Sequence, residues 1–82
     1  MSWNYRVIRH KNDKDEIWFG FYECYYKNKN DVIPHSWGES PTNIIGETTG
    51  DLLDALSKLK VAVEKPILYI KDNKLEVWKG KK

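Results

Sequence analysis

The stretch IWFGFYECYY, residues 17–26, limits the possible folds more than any other. It puts six aromatic rings into ten positions and is apolar on both of its alternating sides. In a strand, residues two apart share a face. Ile17, Phe19, Phe21 and Tyr25 therefore point one way, with Glu23 among them, and Trp18, Tyr22, Cys24 and Tyr26 point the other, with Gly20 among them. A strand apolar on both sides belongs in the middle of a sheet with cover on both faces.

The neighbouring segments supply the rest of that sheet. WNYRVIRH at 3–10 alternates, with Trp3, Tyr5 and Val7 opposite Asn4, Arg6, Ile8 and His10, and reads as a first strand. KNDKDE is polar and turns the chain back antiparallel; KNKND at 27–31 is a second turn. A short third strand is expected near VIPHSW, where Pro34 confines it to an edge. The glycine- and proline-marked segment 38–50 reads as a connecting loop. A helix is then expected from about Gly50 to Lys65, capped by Thr48 or Thr49, with Asp51 and Asp54 near its positive end. Leu52, Leu56, Leu59 and Val63 form its apolar stripe, widened by Leu53, Ala55 and Ala62, and Pro66 ends it. ILYI at 67–70, a turn at Asp72–Asn73 and LEVW at 75–78 complete the pattern as a hairpin. The reading is an α+β domain of order β-β-β-α-β-β, a mainly antiparallel sheet with one helix packed on one face.

One helix about 10 Å across cannot cover two faces, and with strands about 4.8 Å apart it leaves some sheet bare even on its own side. The Ile17/Phe19/Phe21 side suits the helix, being hydrocarbon. The Trp18/Tyr22/Tyr26 side carries polar handles and is the expected contact surface, with Arg6 and Arg9 at its rim. Cover by the 38–50 loop or by a second copy is the alternative for that face.

Composition narrows the function classes. Eighty-two residues make a single domain, 1–82, and a net charge of +2 does not by itself indicate a nucleic-acid partner. Lys79, Lys81 and Lys82 form a short basic tail over 79–82, read as a flexible end. One cysteine precludes an intrachain disulfide and any cysteine-based metal spacing. His10, His35 and Cys24 stand in no catalytic pattern, so the chain is expected to be no enzyme and to need no cofactor or metal. No leader-type opening and no membrane-length apolar run is present, and a cytoplasmic location without membrane contact is expected.

GETTGDLLDALSKLKVAVEKPIL, following two long strands and a short third, resembles the HicB-type antitoxin domain over about residues 3–70, through Gly46, Glu47, Thr48, Leu52, Ala55, Leu59 and Ala62. The family's Pro-Asp-Leu-Pro-Gly-Cys segment is missing, and no DNA-binding helix-turn-helix or ribbon-helix-helix pattern follows. The resemblance implies a partial ribonuclease-H-like sheet without catalytic carboxylates, used to bind and inhibit. The opening MSWNYRVIRH is similar to those of small bacterial and phage proteins. The expectation is a small binding protein acting on a protein partner or on itself as a homodimer, such as an antitoxin or a phage-type inhibitor of a host enzyme. The alternative is a single-stranded nucleic-acid binder using the aromatic sheet face. FGF at 19–21 is similar to the RNA-recognition-motif strand, but Ile17, Trp18 and Cys24 stand where that pattern has a basic residue, a glycine and an aromatic.

Overall fold

A computed structural model describes residues 2–80. The elements are β1 (Ser2–Lys11), β2 (Ile17–Tyr26), β3 (Ser36–Trp37), α1 (Thr49–Glu64), β4 (Leu68–Lys71) and β5 (Lys74–Val77). They form one curled sheet of order β3-β2-β1-β4-β5 with a single helix, an α+β architecture as the sequence indicates. Three of the neighbouring pairs are antiparallel, and β1 with β4 is parallel.

Local chemistry sets the turns. Asn12 closes the β1–β2 loop: its Oδ1 accepts from the Lys14 and Glu16 amides at 2.9 and 3.0 Å, and Asp15 takes the left-handed conformation with φ 61°. Asp72 and Asn73 both have positive φ, 53° and 63°, as a two-residue hairpin loop of type I′ requires. Thr48 caps α1, its Oγ1 accepting from the Asp51 amide at 3.1 Å, while Asp51 accepts in turn from the Glu47 amide at 3.2 Å. The helix stops one residue short of Pro66, at the capping Lys65.

The register separates the two faces, because residues directly opposite each other point the same way. Arg6↔Tyr22, Ile8↔Gly20 and His10↔Trp18 define one face; Val7↔Phe21, Arg9↔Phe19 and Lys11↔Ile17 define the other. On the first face lies a buried cluster drawn entirely from strands: Ile8, Tyr22, Cys24, Leu68 and Leu75, with Trp37 and Val77 packed against it. This face has no helix over it. The curl closes it instead, bringing side chains of the outer strands β3 and β5 against the central ones. Gly20 contributes by its missing side chain, since a Cβ there would stand 3.0 Å from the Tyr22 ring.

The helix lies on the other face. Its buried residues are Leu59 and Ala62, in its second half. The loop expected as a possible lid does something else: Gly38 donates to the Glu23 carbonyl at 2.9 Å and Thr42 to that of Phe21 at 2.7 Å, so it follows the free edge of β2. Pairing that edge removes a row of bare backbone groups.

Candidate functional site

The residues expected to form a contact surface do not come together. Tyr22, Tyr26 and Arg6 are buried, which places them inside the chain and corrects the expectation that they face a partner. The reason is the curl, which converts the polar-handled face into the interior. Tyr26 keeps its handle satisfied there, accepting from Arg6 at 2.8 Å and donating to Asn4 Oδ1 at 2.9 Å. Trp18 remains exposed, but one side of its indole stacks on His10, with centroids 5.2 Å apart and planes at 17°. Arg9 is on the opposite face, its guanidinium 3.8 Å above the Trp78 ring, against which Tyr69 stands edge-on at 5.3 Å. In the basic tail, Lys79 is exposed, and Lys81 and Lys82 lie outside the described residues.

Burial pushes the Cys24 thiol up to about 11, against the opposing pull of the Arg6 charge. Burial lowers the His10 imidazole below its ordinary 6.5, and its Nε2 is enclosed without a hydrogen-bond partner. The unfolded chain therefore binds the proton more readily than the folded one. His10 costs no stability above pH 6.5; the loss begins as pH falls below that value and is complete beneath the lowered one. Urea midpoints should thus drop between pH 7.5 and pH 5 in the native chain, and drop less in His10→Gln. An equal drop in both would remove His10 from the account.

What the structure leaves open is the helix-side face. Val7, Phe19, Gly20, Phe21, Val63 and Ile67 line an apolar groove of about 280 Å³ between β2 and the end of α1. Around it Ile17, Phe19, Leu53, Leu56 and Val63 each keep between 46% and 66% of their surface in solvent. The fully buried residues of the helix lie in its second half; in its first half Leu52 and Ala55 are half-buried while Leu53 and Leu56 stay exposed, as do Ile17 and Phe19 at the start of β2. On sequence alone those rings belong to a dry core, yet one helix about 10 Å across leaves sheet bare even on its own side, and that width is the signal for this face.

Tyr25 marks the margin of this face. Its hydroxyl donates to Glu23 Oε1 at 3.1 Å, and that bond, with smaller contributions from desolvation and nearby charge, raises its ionisation above 10.0. Among the described residues no group of three or more His, Cys, Asp or Glu side chains is placed to hold a metal ion, and no helix is long and apolar enough to cross a membrane. Comparison with protein-family models, with curated proteins and with solved structures finds no match to this chain.

Proposed function

We propose that this chain is a non-catalytic binding protein that works by covering another polypeptide with the apolar groove between α1 and β2, and that its first partner is a second copy of itself. The observation that carries this reading is the pairing of two unpartnered surfaces of opposite kind. The sheet offers Ile17 and Phe19, with Phe21 beside them, and the helix offers Leu53, Leu56 and Val63, all five of the outer side chains left exposed by their own chain. A two-fold axis lets each copy's helix sit on the other's sheet, so one contact satisfies both surfaces twice.

The area is of the right order. At about 100 Å² for each half-exposed side chain, the five come to roughly 500 Å² per copy. With a polar rim added, this approaches the ~800 Å² per partner of a standard interface. An antitoxin, as the HicB-type resemblance implies, or an inhibitor of a host enzyme is the concrete form of this reading, with the target competing for the same surface.

Light scattering tests it. The expected mass is twice the 9.7 kDa of one chain. Phe19→Asp with Val63→Asp should return it to a single chain, raising the dimer dissociation constant about a thousandfold or more while leaving the circular dichroism spectrum unchanged. A single-chain mass up to about 1 mM would overturn the self-partner reading. Binding to single-stranded nucleic acid that collapses with added salt would favour the other class of partner.

A further inference from the structure

A second site lies at the other end of the sheet, where β1 begins and β2 ends. A cavity of about 540 Å³ is enclosed by the start of β1, the 29–32 turn and the end of α1, and it is lined by Arg6, Asn4, Tyr26, Lys29, Asp31 and Lys65 among others. We infer that this cavity binds a phosphate-type oxyanion, held by Arg6 with Lys29 and Lys65.

Arg6 is the unusual member. It is only 3% exposed, yet among the described residues it forms no ion pair. A buried guanidinium ordinarily comes with a carboxylate. Here all its acceptors are neutral: Nη1 donates to Tyr26 Oη at 2.8 Å and to the Val32 carbonyl at 3.2 Å, and Nη2 to the Pro66 carbonyl at 2.9 Å. Those bonds use three of the five N–H donors that a guanidinium carries. Nε is enclosed with no acceptor at all. Nε–H and Nη2 share one edge of the group, an edge on which two oxygens of a phosphate or a carboxylate can be bound side-on with two parallel hydrogen bonds. The free chain therefore holds a charge without a counter-charge and a donor without an acceptor, on the same side chain.

The surroundings match an anion. Lys29 and Lys65 line the cavity and, among the described residues, neither is in an ion pair. The single lining carboxylate, Asp31, is engaged by the Asn28 amide at 3.2 Å. Asn4 is fixed by the Tyr26 hydroxyl through its carbonyl oxygen, so its amide nitrogen is left to donate. A ligand supplying two or three oxygens would satisfy the Arg6 edge and neutralise the lysines together. Because Nε is closed to water, the ligand must displace a neighbouring atom slightly to reach it, and binding should tighten this end of the sheet.

The Nε–H resonance of Arg6 reports on the site directly. Proton–nitrogen spectra of the full chain should be recorded during titration with inorganic phosphate, with acetate, and with sodium chloride at matched ionic strength. The expected result is a saturable shift of the Arg6 Nε–H signal with phosphate or acetate and none with chloride. The tighter of the two identifies the source as a phosphate or a carboxylate group. Lys29→Glu and Lys65→Glu, both outside the core, should each weaken binding about fivefold or more. Arg6→Lys keeps the charge but loses the fork; the backbone amide signals of Asn4 and Asp31, which should saturate with the ligand in the native chain, should no longer do so in this variant. A shift that chloride reproduces, that never saturates, or that survives both lysine replacements unchanged would overturn the proposal.

Discussion

Leu68→Ala is expected to cost about 2–5 kcal/mol of stability, the full cost of opening a cavity in a closed core. Leu68 has no exposed surface and stands in β4 with Ile8 beside it on one strand and Val77 on the other. Truncating it opens a hole at the centre of the strand-only cluster, with no helix above to settle into it. A chain of 82 residues has a total stability of roughly 4–12 kcal/mol, so the variant loses about a sixth of it or more. Urea unfolding should show a lower midpoint at unchanged slope. Leu53→Ala, at an exposed position in the first half of the helix, should stay within about 0.5 kcal/mol under conditions where the protein is a single chain. Equal losses at both positions would mean that the helix stripe is covered after all.

Alkylation of Cys24 at pH 8 should be slower in the folded chain by about a hundredfold from ionisation alone, because a thiol held near 11 supplies that much less thiolate than one at its ordinary 9.0. The sulfur also has no exposed surface, so reagent reaches it only when the fold opens, and the observed protection should be at least the hundredfold that ionisation alone gives. Labelling with iodoacetamide in buffer and in urea gives the ratio. Fast labelling in buffer would mean that the strand-only cluster opens readily, and would weaken the case for a rigid β2.

The elements were legible because each had its own local reason. Alternation wrote β1 and β2, Thr48 wrote the start of the helix, Pro66 its end, and Asp72–Asn73 the last turn. Three things were not legible, and each depends on residues distant in sequence. The curl that buries Tyr22 comes from packing between strands at opposite edges, Trp37 from one side and Leu75 from the other, while Tyr26 is held by Arg6 and Asn4. The burial of Arg6 is invisible because an arginine in an alternating strand reads as solvent-facing, while its acceptors come from residues 26, 32 and 66. The leucine stripe of α1 has the right period for a covered face, but period records which side is apolar and not how far the sheet extends beneath it. The candidate site fared accordingly. Of five residues expected at a contact surface, the structure keeps Trp18 exposed and Arg9 half-buried, on opposite faces, and the open apolar groove is made by residues assigned to the interior.

The parallel pairing of β1 with β4 has a consequence for how the protein comes into being. β1 is made before the other strands of this sheet and is a central one, yet it gains its second neighbour only when residues 68–71 exist. Arg6 and Pro66, which meet at that seam, are 60 residues apart along the chain. Until then the nascent β1–β2 hairpin presents an unpaired backbone edge, a template for any passing strand. Closing so long a loop around a parallel join is slow compared with forming the hairpins and the helix. A ribosome that stalls before β4 would therefore release a fragment with its central edge bare and prone to aggregation, and the last pairing to form would be the one holding the first-made strand of this sheet in place.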